Sequence, residues 1–303
     1  MKIIFMSTSE FGCPLLNNLI SSNHELVAIY TKPHSKSGRG MKIKSSPIYE
    51  LASLHNLNIN TPTNFNCSSE VKRIRSLNAD LIIVASYGLI LPEEIIKSCK
   101  YYAINIHPSK LPKYRGAAPI QRTLFNNDVI SAMTIIKMDK NLDSGDIILQ
   151  EDVAVNYNDN YTTLSHKMSD LAIQLTNQLI NNINNISFTK QDHKLATYAN
   201  KISKSECKID FSKSSNEIYN KIRGLHNNLG AFMLYNDIII KIHQAEIIKD
   251  NSNVQAGTIL DSNFTIKCLD NAIRPIILQK SGRKIMKLNE FLMGFTPEIN
   301  KIL

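Results

Sequence analysis

"DLIIVAS", residues 80–86, runs through five apolar residues, Leu81 to Ala85, with no polar position among them. A strand with one wet face alternates apolar and polar side chains, because neighbours point to opposite sides; an unbroken run suits a strand covered on both faces. Outward from it, "KIIFMS" (2–7), "ELVAIYT" (25–31), "YAINIH" (102–107) and "SAMTIIKM" (131–138) have the same character. Between these lie segments with helical spacing at 12–22, 46–57, 68–77, 92–99 and 118–127, and a long one at 161–185. Strands alternating with helices predict an α/β domain on a doubly wound, mostly parallel sheet, with its ligands at the carboxyl ends of the strands.

After 187 the pattern loosens into "SFTKQDHKLATYANKISKSE" and then, past a helix near 214–225, becomes short strands split by turn residues. We expect a Rossmann-like domain over 1–187, a linker over 188–206 and a small OB-like β-barrel over 207–303. The chain has 303 residues, 43% hydrophobic and 20% charged, which fits a folded globular protein and excludes fibrous and disordered classes. Its net charge of +9 favours an anionic partner such as nucleic acid, and residues 201–303 are the more densely basic part, with 15 Lys/Arg against 10 Asp/Glu.

Five scattered cysteines without a Cys-x-x-Cys pair argue against a disulfide framework and a zinc site. The amino terminus offers only "IIFM" before Ser7, too short for a secretory core, and no apolar run reaches the length of a membrane span. We expect a cytoplasmic monomer with no membrane partner and no metal. The first turn, "STSEFGC", lacks the glycines of a dinucleotide or phosphate loop, so the sheet is not read as a nucleotide-binding one.

The chemistry concentrates in "INIHPSKLPKYRGAAPI", 104–120. Asn105 and His107 are two apart on a strand and share a face, and Pro108 stops the ladder behind them. Asp143 lies in a Leu-Asp-Ser-Gly turn after the next strand; strand ends in a parallel sheet converge on one crevice, so its carboxylate can reach His107. A carboxylate beside an imidazole favours the protonated ring, and that ring with an Asn amide can donate to an oxygen gaining negative charge. With no activated Ser or Cys in the set, direct acyl transfer is favoured. Each of these residues also has a plainer reading, a satisfied core histidine or an Asx-turn aspartate.

"N-x-H-P-S-x-L-P-x-x-R-G" at 105–116 followed by "L-D-S-G-D" at 142–146 resembles the folate-dependent formyltransferases, whose catalytic trio is Asn, His and Asp at these places. Six further segments resemble, in order, the branch of that family acting on initiator tRNA: "GRGMKIKSSPIYELA" (38–52), "SYGLILP" (86–92), "YRGAAPIQ" (114–121), "KISKSECKIDFS" (201–212), "IRGLHNNLGAF" (222–232) and "RKIMKLNEFLMGF" (283–295). The resemblance implies transfer of a formyl group from the co-substrate 10-formyltetrahydrofolate to the α-amino group of methionine on initiator methionyl-tRNA, which enables translation initiation.

It implies Asn105, His107 and Asp143 as catalytic residues, and folate along Tyr87, Gly88, Leu89, Ile90 and Leu91 and along Ser109, Lys110, Leu111 and Pro112. The loop "KPHSKSGRGMKIKSS" (32–46) carries no acid, and the resemblance makes Lys36, Arg39, Lys42 and Lys44 tRNA contacts, with Arg39 the critical one. Three departures stand out: Ser7 where a glycine is usual, Lys110 where leucine is common, and "HNNLGAF" opening the second domain. The rivals are a formyltransferase of an amino sugar nucleotide or of glycinamide ribonucleotide, and a non-catalytic RNA-binding relative. An intact trio speaks against the last.

Overall fold

The computed structural model describes residues 1–37, 42–226 and 229–303; beyond these, nothing is described of the side chains at 36, 37, 42 and 43. Two compact units are present. One comprises residues 1–119, 130–154 and 165–199, the other residues 120–129, 155–164 and 200–303.

In the first unit, β1 (Lys2–Ser7), β2 (Glu25–Tyr30), β3 (Ile59–Asn60), β4 (Leu81–Ala85), β5 (Tyr102–His107), β6 (Ile130–Lys137) and β7 (Ile147–Ala154) form one sheet in the order β7-β6-β5-β4-β1-β2-β3. β1 to β5 pair in parallel, whereas β6 and β7 are added antiparallel. The unbroken apolar runs have the expected cause. Ile4, Met6, Ala28, Tyr30, Ile82, Val84 and Ala103 pack into one core cluster with Val71 and Ile74 of the helix Ser68–Ser76, while Ile3, Phe5, Ile29, Ile83 and Ile104, of opposite parity, are also fully buried. Each such side chain contributes roughly 1.5–3 kcal/mol by leaving water.

Helix starts follow local chemistry. Pro47 opens the helix Pro47–Leu54, where Ser46 Oγ accepts from the Tyr49 N–H. β3 and β7 escape the sequence pattern for different reasons. β3 is two residues long, and β7, "IILQEDVA", is an edge strand whose exposed Glu151 and Asp152 break its apolar run, as suits an edge that must not pair with another chain.

The antiparallel β6 corrects one step of the sequence argument. His107 lies opposite Thr134 and Ile104 opposite Lys137, so β6 ends beside the start of β5, not beside His107. Asp143 reaches the imidazole because the loop after β6 folds back over the sheet face from which Asn105 and His107 project. Gly145 permits this return: a Cβ there would lie 1.8 Å from the Lys137 carbonyl oxygen.

The stretch expected to link the domains is structured up to 199. It forms a 3-10 turn, His193–Leu195, and the short strand Tyr198–Ala199, which pairs in parallel with Arg115–Gly116. The Arg115 N–H donates to the Thr197 carbonyl, and the N–H groups of Ala117 and Ala118 donate to that of Ala199.

The second unit contains β8 (Ala231–Tyr235), β9 (Ile238–Ile248), β10 (Ile266–Lys267), β11 (Ala272–Lys280) and β12 (Met286–Lys287), antiparallel in the order β8-β9-β11-β10 with β12 on β11. Register shifts around Gln244 bend the long β9–β11 pair, and Tyr235, Phe264, Phe291 and Phe295 stack into an aromatic core. The helix Ser215–Gly224 starts with a capping box made by Ser214 and Glu217. Its buried Arg223 explains why two early segments belong to this unit: the guanidinium donates to the carbonyls of Asn156, Tyr157 and Asp159 and to Asn127 Oδ1. Asn227 and Asn228 of the departing "HNNLGAF" lie outside the described residues; His226 pairs with the His243 carbonyl through Nδ1 at 2.8 Å.

Candidate active site

Asn105 and His107 continue the alternation of Ala103, so they stand on the same face of β5 as the core cluster, one step beyond where it ends. Asp143 meets both. Its Oδ1 accepts from Asn105 Nδ2 at 2.9 Å, and its Oδ2 accepts from the Gly116 N–H at 2.8 Å. His107 Nδ1 stands 3.6 Å from Oδ2, with the imidazole and carboxylate side chains only 5% and 8% exposed. That gap is longer than a hydrogen bond.

His107 Nε2 lies 2.8 Å from the Tyr114 carbonyl oxygen. A carbonyl only accepts, so Nε2 carries a hydrogen and Nδ1 is the ring atom turned toward Asp143. Asn105 Nδ2 has two hydrogens, of which the bond to Asp143 uses one. The arrangement therefore presents an amide hydrogen and an imidazole nitrogen side by side above a carboxylate. Tyr114 (φ 62°) and Asp143 (φ 49°) adopt left-handed backbone, as does Ser86 (φ 52°) at the end of β4. Such conformations cost of order 1–3 kcal/mol each and persist where their surroundings hold them.

Val84 lies opposite Asn105, so the loop after β4 leaves the sheet beside the trio. Within it Tyr87 and Leu91 turn inward, 2% and 5% exposed, while Ile90 is 87% exposed and Leu89 half-buried. Tyr87 packs its ring on Phe65, and burial pushes its phenol far above the ordinary tyrosine value. The surface offered here thus consists of Ile90 and the backbone around Gly88 (φ +75°), with Tyr87 and Leu91 as its foundation. Thr8 braces it: its hydroxyl donates to the Tyr87 carbonyl at 2.9 Å and its N–H to that of Ser86. The exposed aliphatic side chain beside this braced backbone is the kind of surface on which a flat ligand with apolar faces can lie.

Ser109 is fully buried, donating to the Lys113 carbonyl at 2.6 Å and accepting from Thr134 Oγ1 through its own carbonyl. Leu111 is also buried, Pro112 half-buried, and Lys110 points out to Asp152 Oδ2 at 2.7 Å. The lysine standing in place of leucine thereby gains a partner on β7. Ser7 is fully buried at the end of β1, and Gly12 leaves it room, since a Cβ at residue 12 would lie 2.1 Å from Ser7 Oγ.

Of the basic loop, the described part is a short antiparallel pairing of Ser35–Ser37 with Lys42–Lys44, and Lys44 is exposed. Arg39 and the side chains of Lys36 and Lys42 lie outside the described residues. Among the described residues no three His, Cys, Asp or Glu side chains gather as a metal site, and no helix is long and apolar enough to cross a membrane.

Two contributors were hidden from sequence reasoning. The Gly116 N–H is a backbone group, and Gln191 sits in a polar stretch without periodicity, yet it is 6% exposed and bonds to the Asp143 loop.

Asn105 and His107 on the sheet face, with the Asp143 loop over them, bring together an amide, an imidazole and a carboxylate in the manner of a group-transferring enzyme. Residues 1–180 match the formyl transferase family and residues 201–296 the formyl transferase carboxyl-terminal domain, so the chain belongs to the formyl transferase family. It is 39% identical to methionyl-tRNA formyltransferase of Rickettsia bellii, over 100% of both chains, and 38% identical to that of Ehrlichia canis over 97% of each. Among solved structures, the N-formyltransferase of Helicobacter canadensis, in complex with folinic acid and dTDP-3-aminofucose, shares the fold with a TM-score of 0.68 at 21% identity, covering 92% of this chain and 99% of that one.

Proposed function

We propose that this enzyme transfers a formyl group from 10-formyltetrahydrofolate to the α-amino group of methionine carried on initiator tRNA. The observation that carries the reading is the convergence of Asn105, His107 and Asp143 in a chain that matches a methionyl-tRNA formyltransferase from end to end. The folate co-substrate supplies a carbonyl carbon already at the oxidation level of the product, so the transfer needs no redox partner.

The second hydrogen of Asn105 Nδ2 and, in the protonated ring, the Nδ1–H of His107 donate to the carbonyl oxygen as the amine adds and negative charge develops on it. One such donor is worth roughly 3 kcal/mol, about two orders of magnitude in rate. Asp143 holds the Asn105 amide in the donating orientation and, through a water, takes the proton that the amine loses as the new C–N bond forms. A proton is returned to N10 as the old C–N bond breaks, which balances the exchange.

Folate lies along Tyr87, Gly88, Leu89, Ile90 and Leu91, with Ser109, Lys110, Leu111 and Pro112 on the other side. Lys36, Arg39, Lys42 and Lys44 engage the acceptor end of tRNA. Residues 1–187 carry catalysis, and 207–303, reached through 188–206, bind tRNA by phosphate contacts.

The decisive experiment offers the purified protein radiolabelled formyl donor with charged initiator tRNA, an amino sugar nucleotide or glycinamide ribonucleotide. Label on the methionyl-tRNA is expected. Label on the sugar nucleotide alone would overturn the reading.

A further inference from the structure

Gln191 uses all of its side-chain hydrogen-bonding capacity on three residues. Its Nε2 donates to the backbone carbonyls of Asp143 at 2.9 Å and Gly145 at 2.7 Å. Its Oε1 accepts from Arg115 Nε at 3.2 Å and Nη2 at 2.7 Å. A guanidinium has only donors, so the amide cannot be flipped without facing N–H to N–H, and its orientation is fixed. Arg115 is itself buried, 4% exposed, and its Nη2 also meets His193 Nδ1 at 3.0 Å.

The loop is also braced from within, Ser144 Oγ donating to Asp139 Oδ1 at 2.8 Å, but among its described side-chain contacts only Gln191 holds the carbonyls of 143 and 145. Asp143 stands at φ 49°, a conformation that relaxes unless its carbonyl is restrained, and its carboxylate reaches Asn105 and the Gly116 N–H only from there. Arg115 and Gly116 are consecutive, so the chain that anchors Gln191 also supplies the N–H bound by Asp143 Oδ2.

We propose that Gln191 is a positioning residue for Asp143: its amide clamps the carbonyls of 143 and 145 and so keeps the carboxylate on Asn105 and opposite His107. The inference rests on Asp143 belonging to the reacting centre. Gln191, 6% exposed, acts through the loop and not on substrate. A carboxylate displaced by about 1 Å costs on the order of a hundredfold in rate.

The test uses the full chain and two variants. Gln191→Glu keeps the contact with Arg115 but turns an acceptor toward two carbonyls; Gln191→Met keeps the volume and removes every bond. Each is made alone and with Asp143→Asn, and single-turnover rates are read with radiolabelled donor and charged initiator tRNA, alongside steady-state constants and thermal unfolding. We expect kcat to fall roughly 10- to 100-fold with both KM values within about twofold and the fold retained, and we expect the loss to vanish in the Asp143→Asn background.

A loss of equal size in that background, an unchanged kcat, or failure of both variants to fold overturns the proposal, the last because the contact would then serve the unit as a whole. Asp143→Asn alone separates this from the underlying reading: wild-type turnover in it removes Asp143 from the mechanism, whereas a dead Asp143→Asn beside a fully active Gln191→Glu removes only the clamp.

Discussion

The Asn105 amide faces two ways, with one hydrogen on the Asp143 carboxylate and the other open. An alanine there removes the amide proposed as an oxyanion donor and leaves Asp143 with the Gly116 N–H. Asn105→Ala and His107→Ala should each lower formyl transfer by roughly two orders of magnitude or more while thermal unfolding stays close to wild type, measured by labelled transfer and calorimetry on the same samples. Both residues were legible in the sequence because spacing of two on a strand fixes a shared face, and a proline directly after it marks the strand's end. Gln191 was not legible. Its partners are 46, 48 and 76 residues away, and nothing in "TKQDHK" separates a buried amide from a solvated one.

At the scale of elements, the alternation of apolar runs and helical segments revealed the parallel strands, because burial on both faces leaves a strong signature. Direction is another matter. β6 is as apolar as its neighbours, and only its pairing tells that it runs the other way. The trio therefore depends on the return of the 138–146 loop, which the sequence marks through Gly145 alone. Gly145→Ala should push the loop off Lys137, lowering both the unfolding temperature and kcat.

Elsewhere, the Arg122 guanidinium of the helix Pro119–Phe125 pairs with Glu206 and holds that carboxyl below the ordinary glutamate range. A depressed carboxyl stabilises the fold above the unfolded value and loses that contribution as pH falls through the folded one. Arg122→Gln should thus cost about 1 kcal/mol or less at neutral pH, the pair being partly exposed, and the difference from wild type should close below pH ~4. Melting curves across that range are the check.

Taken whole, the chain passes from one compact unit to the other at 119/120, 129/130, 154/155, 164/165 and 199/200. Composition exposed the change from mixed α/β to short strands, but not these earlier crossings, since the segments 120–129 and 155–164 look like ordinary parts of the first domain and are held by Arg223 far downstream. No single cut divides the protein into its two units. The overall charge of +9 should make use of the anionic substrate strongly salt dependent. Between about 50 and 200 mM salt, kcat/KM for methionyl-tRNA should fall steeply while KM for the folate donor moves little, as steady-state assays in graded salt would show.

The strand Tyr198–Ala199 lies on Arg115–Gly116, so the ribbon by which the backbone departs from the first unit also steadies the N–H on which the Asp143 carboxylate rests. Designers who choose domain junctions for tags, fluorescent inserts or circular permutation would find this one unforgiving. A graft between 191 and 199 is expected to lower formyl transfer, which the labelled-donor assay would show.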